Sequence, residues 1–204
     1  MKKVAFAAAL VVAIVVAAPA GAHRTVTDQQ AVAPGTWCGG TLWKLMTLSD
    51  SSKGAVNWTP VQTGIADIAK LTAPTRILAS RSGMFEKKMW RVTAVIERYR
   101  IQSNGEIALE MNDVHTSTYM NAYMPNPKCL SSNTRGRADI LAARTAFTKA
   151  CGAPAGTWKT LGATVTLTGV GFWNPAKTTL GALANGAELR PVTGFKPLQG
   201  CGHF

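Results

Sequence analysis

Basic side chains are concentrated between residues 76 and 100. Seven lysines and arginines lie there against only Glu86 and Glu97. The seven are Arg76, Arg81, Lys87, Lys88, Arg91, Arg98 and Arg100. A groove that combines cations with aromatic rings binds a polyanion through charge and stacking, and each stacked nucleic-acid base contributes about 1–3 kcal/mol. The sequence predicts such a face from these side chains: Lys87, Lys88, Arg91, Arg98, Tyr99, Arg100, Tyr119 and Tyr123.

The predicted partner of this face is nucleic acid or an anionic polymer of the cell envelope. The formal net charge of +12 favours either polyanion over a cationic partner. Two alternatives stay open at this point. In the first, the basic residues are only the solvated side of a strand and form no binding face. In the second, the chain has a structural or protein-interaction role in the cell envelope.

Carboxylates supply a further alternative, a metal-dependent nuclease or phosphodiesterase. Glu97, Glu110 and Asp113 lie near several arginines, and a hard divalent cation takes oxygen ligands while arginine stabilises the transition state. In an alternating strand, however, Glu106 and Glu110 are also expected to form a solvated face.

The sequence carries no other catalytic signature. It contains no G-x-S-x-G motif, and its histidines are isolated at His23, His115 and His203. No catalytic residue, metal site or cofactor is therefore predicted, and a role in binding is favoured over catalysis.

The N-terminus has the pattern of a secretory signal peptide. Lys2 and Lys3 precede an apolar run from Val4 to Ala18, which is shorter than the roughly 20 residues that span a membrane. Small residues at 20–22 predict cleavage after Ala22. The expected location is extracellular or periplasmic.

Export places the four cysteines in an oxidising compartment, where disulfides form. Cys38, Cys129, Cys151 and Cys201 show no C-x-x-C spacing, which disfavours zinc binding and redox chemistry. Four cysteines allow three pairings, and their spacing does not select one of them.

Periodicity predicts a mainly β domain. Apolar residues make up 47% and charged residues 16% of the chain, which excludes a disordered or coiled-coil protein. Residues 23–36 are expected to form a flexible arm, and 37–204 a single domain with an N-terminal extension. The predicted elements are a short helix at 63–71, strands at 88–102, 106–111 and 116–124, a helix at 137–151, and strands at 163–173 and 187–195, the last broken at Pro191.

Three strands, a helix and two further strands are the order of an oligonucleotide/oligosaccharide-binding (OB) fold, a five-stranded Greek-key barrel. The predicted fold class is thus an OB-like barrel with one helix between its third and fourth strands. An irregular segment with the short helix precedes it.

Several stretches resemble a family of uncharacterised secreted bacterial proteins, often actinobacterial. Its members carry a CGTERW-like motif near the start and a GVGFFD…NGIELHPV-like motif near the end. The similar stretches here are 38–47 (CGGTLWKLMT), 104–110 (NGEIALE), 169–174 (GVGFWN) and 185–192 (NGAELRPV).

The resemblance implies an OB-like fold and export, and it implies no known activity. It also implies the pairing Cys38–Cys129, which leaves Cys151 with Cys201. The histidines of the family correspond here to Ala108, to a loop at 174–184 without histidine, and to Arg190. Any chemistry of those histidines is therefore not expected in this chain.

Overall fold

The computed structural model describes Cys38, Gly40 and residues 42–175 and 180–202. The predicted signal peptide, the predicted arm at 23–36, His23 and His203 lie outside the described residues.

The described chain is mainly β, as predicted. The strands are β1 (Asn57–Gln62), β2 (Lys88–Ile101), β3 (Ile107–Asp113), β4 (Tyr119–Met124), β5 (Lys159–Trp173) and β6 (Ala187–Gln199). The α-helices are α1 (Trp43–Met46), α2 (Ile65–Ala69) and α3 (Arg137–Cys151). None of these helices has the length and apolar character needed to cross a membrane.

The strands form one mixed sheet in the order β1-β2-β3-β4-β6-β5, and β2 also pairs with β5. Pairing therefore connects β2 through β6 in a ring, with β4 parallel to β6. The predicted barrel of five strands does not fit this sheet completely, because β1 adds a sixth strand parallel to the start of β2. β1 is not predicted from the sequence, because the strand is short, contains Pro60 and is mostly exposed, so it lacks an apolar alternation.

The last strand also differs from its prediction. β6 is continuous from Ala187 to Gln199 and is not broken at Pro191. Its register with β5 shifts between Gly169 and Gly171, and Pro191 falls in the part of β6 opposite that irregularity. The missing N–H of Pro191 is thereby accommodated without ending the strand.

The main core lies inside the ring and is covered at one side by α3. The ring contributes Val92, Ile96, Leu109, Leu167 and Leu189, all fully buried. Helix α3 was predicted with the bounds that the structure has, and it ends before Gly152, whose φ of +90° suits glycine.

Aromatic packing fixes α3 against the sheet. Phe147 contacts Tyr99 and Phe195 edge to face, with ring centroids 5.1 and 5.4 Å apart. The Tyr99 hydroxyl also donates a hydrogen bond of 3.0 Å to the carbonyl oxygen of Cys151. These contacts place the C-terminus of α3 beside the end of β2.

The described part of the chain contains two disulfides. Cys38 is bonded to Cys129 and Cys151 to Cys201, which confirms the pairing that the family resemblance implies.

Candidate functional site

The eight residues predicted to bind a polyanion do not share one face. Lys87 immediately precedes β2, Lys88 and Arg91 lie near its start, and Arg98 and Arg100 lie near its end. From Arg91 to Arg100 the strand extends about 30 Å at roughly 3.3 Å per residue. The predicted basic strip is therefore divided into two groups.

The first group is sparse. Arg91 is exposed, and the Lys88 ammonium lies 5.6 Å from the centre of the Trp90 ring. Arg81, which belongs to the same basic stretch, is buried instead and forms an ion pair of 3.0 Å with Asp50. Arg81 is therefore part of the core and not of a binding face.

The second group is built around an indole. Trp158 lies immediately before β5, and the guanidinium carbons of Arg98 and Arg100 are 4.9 and 4.7 Å from its ring centre. The segment before Trp158 is tied to β2 because the backbone N–H of Ile101 donates to the carbonyl of Ala155 at 2.8 Å. Arg98, Arg100 and Trp158 are called the Trp158 cluster below.

A β-bulge brings the two arginines to the same face. The pairing of β2 with both β3 and β5 shifts in register between Ile96 and Arg98, so Glu97 is an extra residue in the strand. Without this shift, strict alternation would turn Arg98 and Arg100 inward with Ile96. With it, Tyr99 turns inward and the arginines turn outward.

The two arginines differ in their charge partners. Arg98 is neutralised by Glu110, with its Nε and one terminal nitrogen 2.9 and 2.8 Å from Oε2. Arg100 makes no hydrogen bond or ion pair with the described residues, and its buried Nε has no partner. A planar guanidinium with free donors binds carboxylate or phosphate in a two-point contact. Arg100 is thus the cation of the cluster that is open to an anion.

Two of the three predicted tyrosines cannot stack on a ligand in this structure. Tyr99 and Tyr123 are only 2% and 3% exposed, whereas Tyr119 is 38% exposed. Tyr123 lies beneath Arg190, with the guanidinium carbon 4.5 Å from its ring centre, and burial raises the pKa of its hydroxyl. Tyr99 and Tyr123 are therefore not exposed beside the bases, whereas a contribution of Tyr119 stays a prediction.

The prediction of a solvated acidic face on β3 is also wrong. Glu106 and Glu110 are buried. Arg190 donates to both oxygens of Glu106, through Nε at 3.2 Å to one and through a terminal nitrogen to the other, and lies 3.4 Å from an oxygen of Glu188. Sequence alternation shows that Glu106 faces away from the main core, but it does not show that Arg190 of a distant strand covers it.

Glu188 is the unusual carboxylate of this group. Burial raises its pKa to about 7, against the opposing effects of Arg190 and of a 3.1 Å hydrogen bond from Asn174. Arg190 is closer to Glu106 than to Glu188, so Glu188 receives only part of the compensation that a buried charge needs.

The carboxylates of the phosphodiesterase alternative have separate partners. Glu97 accepts from the side chain of Asn112 at 3.3 Å, Glu110 binds Arg98, and Asp113 accepts from the backbone of α2. In the described ranges, no three acidic, histidine or cysteine side chains are grouped so that they could hold a metal ion. His115 is exposed in the turn between β3 and β4. Metal-dependent catalysis stays a prediction without support from this geometry.

Glu110, the acid that pairs with Arg98, also lines an open cleft. Its volume is about 620 Å³. The lining comprises Glu110, Ser117, Thr118, Tyr119, Leu180, Gly181, Ala182, Leu183 and Ala184. The size falls within the roughly 300–1,000 Å³ of small-ligand sites.

The chain matches no family model, no curated protein and no solved structure. What the Trp158 cluster and the cleft can do is therefore inferred from their own geometry.

Proposed function

We propose that the protein is a secreted, non-catalytic binding module that holds an extracellular polyanion at the Trp158 cluster. The observation that carries this proposal is the guanidinium of Arg100, which lies against an indole and has no acidic partner among the described residues. An aromatic ring beside a free guanidinium offers a polyanion a flat contact surface and a two-point anion contact. Trp158 replaces Tyr99 and Tyr123 as the aromatic contact.

Secretion is part of the proposal. The two disulfides are compatible with an oxidising compartment, and the N-terminal pattern is that of a signal peptide. We further propose that the ring from β2 to β6, with α3 between β4 and β5, is an OB-like barrel to which β1 has been added. Membership of the secreted family with the CGTERW-like motif belongs to the same proposal.

The test measures the dissociation constants of an oligothymidylate and of an oligogalacturonate by calorimetry at low and high salt. We expect binding at low salt that weakens steeply as salt rises, because counterions are released. Trp158→Ala and Arg100→Ala should each weaken it about tenfold, in line with the loss of a charged hydrogen bond or a stacked ring.

Arg137→Ala is the matched control, because Arg137 is an exposed arginine on α3 and its removal changes the net charge equally. If Arg100→Ala and Arg137→Ala weaken binding to the same small extent, only net charge attracts the polymer and the proposed site is wrong. Absence of binding to both probes at low salt would overturn the function itself.

A further inference from the structure

Glu110 connects the Trp158 cluster to the cleft. Its Oε2 accepts from Arg98 of the cluster, and the same residue lines the cleft. The geometry points to one continuous site for an acidic polysaccharide, whose carboxylate binds Arg100 while adjoining sugar rings occupy the cleft. This inference rests on the proposed polyanion-binding function and names its ligand class.

The cleft has the chemistry of a sugar site rather than a phosphate site. Among the described residues, its lining contains a carboxylate, two hydroxyls from Ser117 and Thr118, and no basic side chain. A carboxylate repels phosphate but accepts hydrogen bonds from sugar hydroxyls. Tyr119, which is 38% exposed, offers a ring on which the apolar face of a sugar can pack.

Glu110 keeps an acceptor available for this purpose. Both contacts from Arg98 go to Oε2, and Oε1 accepts no hydrogen bond from the residues that the structure describes. A ligand hydroxyl can therefore bind Oε1 without breaking the ion pair with Arg98.

The wall of the cleft is held in place before any ligand binds. The side chain of Asn121 donates a hydrogen bond of 3.2 Å to the carbonyl of Leu180. Gly181 follows with a φ of +79°, and a Cβ atom there would lie 2.6 Å from Cγ of Glu110. Only glycine lets the backbone approach Glu110 so closely, so residues 180–184 form a wall that needs little rearrangement.

Charge separates the two ends of the site. Arg100 and the exposed Lys159, which is paired in register with Tyr99, provide positive charge at the Trp158 end. At the cleft end, the Arg98–Glu110 pair adds no net charge, and the described lining residues other than Glu110 are uncharged. A polymer whose rings each carry neutral hydroxyls beside one carboxylate matches this pattern, whereas hexathymidylate carries hydroxyls only at its ends.

The experiment compares hexagalacturonate with hexathymidylate by calorimetry at low salt, using the full secreted chain. Tyr119→Ala should weaken hexagalacturonate roughly fivefold and leave hexathymidylate unchanged, because only the sugar chain reaches the cleft. Glu110→Gln frees the charge of Arg98 and should strengthen hexathymidylate, and it should strengthen hexagalacturonate less because it also removes an acceptor for sugar hydroxyls. Ser117→Ala, like Tyr119→Ala, should weaken hexagalacturonate and leave hexathymidylate unchanged. Because Ser117 is exposed, this change does not disturb the fold.

Equal or tighter binding of hexathymidylate, or an unchanged hexagalacturonate affinity in both Tyr119→Ala and Ser117→Ala, would overturn the polysaccharide inference and leave polyanion binding intact. Failure of both probes to bind would overturn both proposals. A fully methyl-esterified hexagalacturonate serves as the uncharged control and should bind at least tenfold more weakly, because it offers Arg100 no carboxylate.

Discussion

Asp113 at the end of β3 accepts a hydrogen bond of 2.8 Å from the backbone N–H of Ile65, the first residue of α2. The same oxygen lies 3.3 Å from the N–H of Ala66, and the other oxygen accepts from His115 at 2.9 Å. The carboxylate thus satisfies free donors at the start of a short helix and fixes that helix to the sheet.

Replacing Asp113 with alanine should lower the free energy of unfolding by about 1–3 kcal/mol, the range for hydrogen bonds to a charged group. Burial acts to raise the pKa of Asp113, but backbone donors from His115, Ala66, Ile65 and Thr116 outweigh it and leave the pKa lowered. The stabilisation is therefore present above the ordinary aspartate pKa and lost as pH falls through the lower folded value. Urea unfolding at neutral and acidic pH measures both effects.

Asp67→Ala is the control for this change, since Asp67 is exposed and its ion pair among the described residues is with Lys70, just after α2. Equal losses in the two variants would show that Asp113 does not anchor α2.

Glu188 should make the protein less stable as pH rises. Its folded pKa of about 7 lies above the ordinary glutamate value of 4.5, so its favourable contribution is complete below pH 4.5 and is lost as pH rises through 7. From pH 5 to 8 this amounts to about 2–3 kcal/mol at 1.36 kcal/mol per pKa unit. Glu188→Gln should flatten the dependence by that amount in urea unfolding, whereas Asp139→Asn at an exposed site of α3 should not. An unchanged pH profile in Glu188→Gln would contradict this assignment.

Arg190→Met should be strongly destabilising. It leaves Glu106 and Glu188 buried without their shared cation, and breaking a buried ion pair from one side costs about 3–5 kcal/mol. Chemical denaturation of Arg190→Met beside Arg137→Met, in which the lost arginine is exposed, measures the difference. A loss below 1 kcal/mol relative to the control would mean that the buried acids are protonated or rearranged.

Gly171→Ala tests the contact between β5 and the segment that precedes β2. A Cβ atom at Gly171 would lie 2.3 Å from the carbonyl oxygen of Phe85, and backbone cannot move aside cheaply. We expect Gly171→Ala to lower the free energy of unfolding by about 1–3 kcal/mol, as is typical when a well-packed site is overfilled. Gly54→Ala has nothing within 4 Å of the added atom and should leave the melting temperature within a degree or two of the parent.

Removal of the Cys151–Cys201 disulfide should lower the free energy of unfolding by more than the loss of any single hydrogen bond does. The bond joins residues 50 apart, and closing a loop of that length contributes roughly 4 kcal/mol in the chain-entropy model. The variant with both Cys151 and Cys201 replaced by alanine should therefore show a large drop in the midpoint of urea unfolding. A midpoint equal to that of the parent would show that the unfolded chain is already constrained in this region.

Apolar periodicity predicted most of the elements because it depends on nearby residues. Helix α3 and strands β2, β3 and β4 follow from alternating or helical patterns, and the turn between β2 and β3 follows from Asn104 and Gly105, whose φ is +79°. The pairing of the cysteines came from a resemblance and not from a pattern.

The Trp158 cluster escaped prediction because its geometry depends on pairing between distant segments. The sequence predicts that β5 begins at Ala163, since Gly162 interrupts the alternation, but the strand begins at Lys159 and puts Trp158 beside the end of β2. The bulge at Glu97 has no signal in sequence, and it alone decides which way Arg98, Tyr99 and Arg100 point.

Burial of long polar side chains was missed for a similar reason. Arg144 of α3 is half-buried and does not extend its guanidinium freely into solvent. Instead it donates to the carbonyl oxygens of Met124, Pro125 and Gly105. Carbonyl groups left free by the ends of strands attract such a side chain, and their positions are set only by the folded sheet.

The two disulfides follow one another along the chain without overlapping, the first enclosing residues 38–129 and the second residues 151–201. A single proteolytic cut within either covalent ring leaves the polypeptide in one piece. A cut between the rings, for instance at the exposed residues 131–133 ahead of α3, divides it into two fragments that only non-covalent contacts hold together. The connection through α3 is therefore the place where one cut by a protease would allow the two fragments to separate.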